Sequence, residues 1–223
     1  MRRIDTLRHR TGMLWLATAL AAGAHASPAP TEWQFTVRLD GKPIGTHRFV
    51  LERGNERSAQ LRSEARFDVT LLGLSLYRYR HEATERWSEG CLASIEARTD
   101  DNGRRTELLG QAQGKGFELQ VRGHADAAGL PVPTGGCLMS FAYWNPALAT
   151  QTRLLDPGSG RVEPVAIGVP PAAAADLEAA GGRVRGLRIG GLAQPIDVWY
   201  VGERWVGLDT VVDGGRRLSY RLR

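Results

Sequence analysis

Apolar and polar residues alternate along most of the chain, and Gly, Asn, Asp and Pro interrupt the alternation at short intervals. Trp33, Phe35, Val37 and Leu39 take turns with Gln34, Thr36 and Arg38 before Asp40-Gly41-Lys42-Pro43. A period of two puts those apolar side chains on one face of a β-strand. A second run covers residues 44–52. In a third, Leu61, Ala65, Phe67, Val69 and Leu71 share a face with Ser63, opposite Arg62, Glu64, Arg66 and Asp68. A fourth places Tyr77, Tyr79, His81, Ala83, Glu85 and Trp87 on one side and Arg78, Arg80, Glu82, Thr84 and Arg86 on the other. The fifth, Cys91 to Thr99, ends at Asp100-Asp101-Asn102-Gly103, where Asn-Gly supplies the positive φ that a tight hairpin requires.

Further alternating runs lie at 104–113, 117–123, 184–189, 196–201, 205–212 and 218–222. The pattern breaks in the middle. Residues 125–136 are rich in Pro and Gly and read as a loop, and Ser140-Phe141-Ala142-Tyr143-Trp144-Asn145-Pro146 is dense in aromatics, a short helix or a plug. Pro170-Pro171 opens an Ala-rich stretch to Ala180 that predicts a brief helix stopped by Gly181-Gly182. Together these features predict a mainly β protein: an antiparallel meander of roughly ten to twelve strands curled into an open or closed barrel, with one or two short helices. With more than about eight strands, the interior of a barrel can exceed what side chains fill.

The first residues change the charge argument. A basic head (Arg2, Arg3, Arg8, Arg10), an apolar run from Met13 to Ala24 and the small-x-small ending Ala24-His25-Ala26 are the three parts of a signal peptide. The run is too short for a membrane span, which needs about 20 residues. Cleavage after Ala26 predicts a periplasmic protein with one β-rich domain over 27–223. It also removes four arginines and Asp5, lowering the formal charge from +5 to +2. What remains has no basic arm and no aromatic-basic interleaving, so nucleic acid is not an expected partner. An outer-membrane barrel fits less well than a soluble one, because the chain ends Ser219-Tyr220-Arg221-Leu222-Arg223 without a terminal aromatic residue. Cys91 and Cys137 are the two cysteines; in an oxidising compartment they are either a disulfide or two separate thiols.

Leu39-Asp40-Gly41-Lys42-Pro43-Ile44-Gly45-Thr46-His47, Tyr77-Arg78-Tyr79-Arg80-His81, Glu85-Arg86-Trp87, Thr99-Asp100-Asp101-Asn102-Gly103 and the closing Asp213-Gly214-Gly215 come in an order that resembles a bacterial exported family, domain-of-unknown-function family 6134, and more distantly family 3108. The resemblance implies a periplasmic, sheet-rich fold. It carries over no catalytic residue.

Motifs for chemistry are scarce. There is no G-x-S-x-G, P-loop, G-x-G-x-x-G, C-x-x-C or H-E-x-x-H, so no cofactor and no metal site is expected. His81-Glu82-Ala83-Thr84-Glu85 looks like a metalloprotease fragment, but on a strand His81 and Glu85 stand about 13 Å apart at roughly 3.3 Å per residue. The inward side of the fourth run is the stronger signal. Tyr77, Tyr79, His81, Glu85 and Trp87, with Tyr143, Trp144 and Asn145 of the aromatic cluster, are candidates to line a cavity for an apolar or lipid-like ligand; the competing reading is a hydrogen-bonded core network. A hydrolase or isomerase using His81 with Glu85 or Cys137 is an alternative, and a structural partner in an envelope complex is another.

Overall fold

The computed structural model describes residues 29–54, 57–71, 74–123, 131–133, 136–172, 174–178 and 183–223. The predicted signal peptide and His124 lie outside the described residues. Fifteen strands are seen among these residues: β1 (Thr31–Leu39), β2 (Lys42–Arg53), β3 (Ser58–Leu71), β4 (Leu74–Ser88), β5 (Cys91–Asp101), β6 (Arg104–Gln113), β7 (Gly116–Arg122), β8 (Pro131–Pro133), β9 (Arg153–Leu155), β10 (Val162–Pro164), β11 (Ala166–Gly168), β12 (Val184–Gly190), β13 (Ile196–Val201), β14 (Arg204–Val212) and β15 (Arg216–Leu222). Thirteen form one antiparallel sheet in the order β11-β12-β13-β14-β15-β1-β2-β3-β4-β5-β6-β7-β8, and β9 pairs with β10 separately. Every neighbour in the large sheet is a neighbour in sequence except β15 and β1, which pair through Phe35 with Leu222 and Leu39 with Leu218.

The sheet does not close among the described residues: β11 and β8 are its two ends. The strand count slightly exceeds the range that the alternation predicts, because β8 to β11 are three residues each, too short to show a period. β8 falls in the stretch that reads as a loop, and its Pro131 and Pro133 fit an end strand, where a missing N–H leaves no gap in a ladder. The helix expected over 172–180 is one turn, α1 (Ala175–Glu178), with Ala179 to Gly182 outside the described residues. The aromatic cluster at 140–146 is a plug and not a helix; a single 3₁₀ turn follows it at Pro146–Thr150.

Residues 137–165 fold back against the inner face of the sheet. Leu138, Met139, Ala142, Leu148, Leu154 and Leu155 are all buried there, in one cluster with Phe35, Leu51, Trp87 and Trp205. The backbone joins the plug to the sheet where the Leu92 N–H donates to the Leu138 carbonyl at 2.8 Å. Cys91 and Cys137 are bonded as a disulfide at the same place, which decides between the two readings of the cysteines. Trp205 is the centre of the opposite wall, its ring 4.3 Å from Phe35 and 5.0 Å from Phe49. On the outer face arginine–carboxylate pairs cross between strands, such as Arg48 with Glu32 and Arg80 with Asp68. Exposed pairs of this kind stabilise little, about 0–1 kcal/mol each.

The pairing of β2 with β3 depends on one glycine. A Cβ on Gly45 would lie 1.9 Å from the Arg66 carbonyl oxygen of β3, an approach that backbone cannot relieve without moving. Gly45→Ala is therefore expected to cost about 1–3 kcal/mol, as overpacking does, read as a lower urea midpoint with an unchanged slope.

Candidate functional site

Register determines what the inner face presents. Across β1 to β5 one row reads Phe35, His47, Ala65, His81, Thr99, and the next reads Trp33, Phe49, Ser63, Ala83, Ala97. The small residues in the middle of both rows leave room that Leu or Phe would occupy. Ala65, between the two histidines, lets their rings approach to 6.5 Å between centroids. Ser63, the one polar residue on the apolar face of its run, lines a cavity.

That cavity has a volume of about 550 Å³. Its walls are the inner faces of β2 to β4 (His47, Phe49, Ser63, Tyr79, His81), those of β13 to β15 (Ile196, Leu208, Tyr220), and the plug (Phe141, Tyr143, Asp156). A second hollow of about 420 Å³ shares Tyr79, Asp156, Gly158 and Arg161 with the first. The size is within the range of pockets that hold a small ligand, roughly 300–1,000 Å³.

Burial sets the charge of the ionisable groups in these walls. It pushes the His81 imidazole down to about 4, partly opposed by the Asp156 carboxylate, and pushes His47 well below its ordinary value, with His81 adding to the effect. Both rings are neutral at pH 7. His81 Nδ1 is 2.9 Å from Thr99 Oγ1, its partner in the same row. Burial likewise raises the phenols of Tyr79, Tyr143 and Tyr220, which stay protonated. Glu85 is pushed up to about 7 by burial, against hydrogen bonds that favour its carboxylate. The Ser140 hydroxyl donates to Glu85 Oε2 at 3.0 Å and the Trp87 indole N–H donates to the same oxygen at 3.1 Å. Glu85 thus fastens the plug to β4 as well as bordering the cavity.

The structure brings some of the predicted site residues together and separates others. Tyr79, His81, Glu85 and Tyr143 line the cavity. Trp87 is behind Glu85, 2% exposed, with its ring edge-on to Trp144 at 5.3 Å. Trp144 and Asn145 border a different, shallow groove beside Tyr200. Asn145 plays a structural part, since its side-chain oxygen accepts from the Ala147 N–H and caps the 3₁₀ turn. Tyr77, one step nearer the hairpin end, is half-buried and outside the cavity wall. Cys137 is in the disulfide and has no thiol to offer as a nucleophile. Among the described residues no three His, Cys, Asp or Glu side chains converge as metal ligands.

Sequence reasoning missed His47, Asp156 and Tyr220. His47 alternates in phase with Phe49 and Leu51, so the pattern could have found it. Asp156 sits in Asp156-Pro157-Gly158-Ser159-Gly160, a turn signal that gives no hint of facing inward. Its carboxylate accepts from the Gly158 N–H at 2.9 Å and from the Ser159 hydroxyl at 2.6 Å, which closes the turn between β9 and β10.

Comparison with solved structures finds a likeness in a beta-barrel-like protein of domain of unknown function family DUF1849 from Brucella abortus. The TM-score is 0.56 at 10% identity, covering 87% of this chain and 95% of that one. At that identity the likeness is one of fold. No curated protein matches the sequence. The sequence does match a family model, described as domain of unknown function DUF6134, over residues 35–223, from the first buried strand to the last residue. By that match the chain belongs to the DUF6134 family.

Proposed function

We propose that this is an exported, periplasmic binding protein that holds an apolar or lipid-like ligand in the cavity between the curled sheet and its plug. The observation that carries the reading is the cavity itself: about 550 Å³, walled by Phe49, Tyr79, Phe141, Tyr143, Leu208 and Tyr220 with a few polar and charged groups among them, Asp156 included. Apolar walls gain by shedding water onto an apolar guest, at roughly 25 cal/mol per Å² buried. The disulfide and the Arg-rich, Ala-bounded N-terminal segment support export to an oxidising compartment.

The test is native mass spectrometry and solvent extraction of the protein purified from its host without detergent. Titration with N-phenyl-1-naphthylamine, an uncharged dye that brightens in apolar surroundings, accompanies it. A co-purifying amphiphile and saturable dye uptake at one site are expected. Protein that is empty in every preparation and takes up no dye would end the binding reading. Processing after Ala26 is read from the N-terminal sequence of protein recovered from the periplasmic fraction.

A further inference from the structure

The cavity has a sign. Of the ionisable groups in the walls of the two hollows, His47 and His81 are neutral, Tyr79, Tyr143 and Tyr220 are phenols, Glu85 is held by Ser140 and Trp87, and Glu163 and Asp101 are each paired with an arginine. The positive groups there are Arg161 and Arg104, and both are committed. Arg161 Nε is 2.9 Å from Glu163 with its side chain 72% exposed, and Arg104 pairs with Asp101 at 3.2 Å. Asp156, by contrast, accepts only uncharged donors; no arginine or lysine among the described residues pairs with it. Its carboxylate is half-buried in the wall common to both hollows. The Tyr79 hydroxyl is beside it: a Cβ on Gly158 would lie 3.3 Å from Asp156 Oδ1 and 3.4 Å from Tyr79 Oη.

We propose that the cavity selects an amphiphile with an ammonium head over one with a carboxylate head, the ammonium resting against Asp156 and the Tyr79 hydroxyl with its chain among Phe49, Phe141 and Leu208. This rests on the binding reading above and adds the chemical class of the head group. An ammonium offers only donors and one positive charge. Asp156 keeps free lone pairs after its two bonds, since a carboxylate has about four acceptor sites, and phenol oxygens accept as well. Tyrosine rings attract a cation further through their negative faces. A carboxylate head would enter the same space with no free cation to meet it. It would face Asp156 as a like charge, and an unpaired buried anion is strongly disfavoured.

The experiment compares three probes with one chain length: dodecylammonium, dodecanol and dodecanoate, each displacing the naphthylamine dye below its micelle concentration at pH 7. Dodecylammonium is expected to bind roughly tenfold tighter than dodecanol, the size of one charge-assisted contact, and dodecanoate more weakly than dodecanol. In Asp156→Asn the advantage of dodecylammonium over dodecanol should vanish while dodecanol affinity stays, which shows that the variant is folded and the cavity intact. Should the turn not tolerate Asn, Tyr79→Phe provides a second variant: it removes the acceptor oxygen, keeps the ring, and should reduce the ammonium preference alone. Dodecanoate binding as tightly as dodecylammonium, or a preference unchanged in both variants, overturns the head-group assignment and leaves apolar binding standing. Failure of all three probes and of the dye overturns both.

Discussion

Cys91→Ala/Cys137→Ala protein should unfold with about 4 kcal/mol less stability than the wild type. The bond closes a loop with a sequence separation of 46, and loop-closure entropy for that length amounts to about 4 kcal/mol lost from the unfolded chain's freedom. The effect should reach the site as well. Cys137 starts the plug, and the Leu92–Leu138 hydrogen bond beside it is the first backbone link between plug and sheet. Without the bond, Met139, Leu154 and Leu155 are held by packing and by hydrogen bonds such as Leu92–Leu138 and Ser140–Glu85, with no covalent tie in this region. Two readouts follow: a urea midpoint lowered in proportion to the lost free energy, and earlier hydrogen exchange of residues 138–155 than of β1 to β5. Wild-type protein in reductant should behave as the double variant does. A midpoint shift of less than about 1 kcal/mol would mean that the plug holds its place without the cross-link.

Glu85 and His81 should pull stability in opposite directions as pH changes. Glu85 has a folded value raised from 4.5 to about 7. The folded state therefore binds the proton more tightly, so the stabilisation is complete below pH 4.5 and is lost as pH rises through 7. His81 has a folded value lowered from 6.5 to about 4. Its contribution is complete above pH 6.5 and is lost as pH falls through 4. Each shift is worth about 3 kcal/mol at 1.36 kcal/mol per unit. Between pH 4.5 and 6.5 the two slopes oppose each other, and wild-type stability should vary little on their account.

Glu85→Gln removes one of the two slopes. Its side-chain oxygen can still accept from Ser140 and Trp87, but it carries no charge at any pH. The stability of the variant relative to wild type should therefore rise by about 3 kcal/mol between pH 4.5 and pH 8, and its own stability should fall more steeply on acidification. Urea unfolding at half-unit pH steps measures both. A difference between the two proteins that does not change with pH would show that Glu85 is not the titrating group.

What could be read without coordinates follows from periodicity. Alternation over nine to fifteen residues in β1 to β5 specifies strand type, and one buried face fixes which side turns inward. Tyr79, His81 and Glu85 face the interior for that reason, as the fourth run implies. The same reasoning locates inward faces and cannot tell depth along them: Tyr77 and Trp87 share the face of His81, yet one stands near the hairpin end and the other behind the plug.

Strand type, the inward face of each long strand, tight turns such as Asn102-Gly103 and a chain meandering from neighbour to neighbour are all written in the residues themselves. Those are local properties, set by side-chain alternation and backbone preference within a few residues. Long-range packing was needed to pair β15 with β1, to bring Cys91 to Cys137, to lean His47 and His81 together across Ala65, and to turn the Asp156 loop toward the cavity. Each of these joins residues far apart in the chain, and what brings them together is the burial of one continuous inner surface, a quantity that no single segment contains.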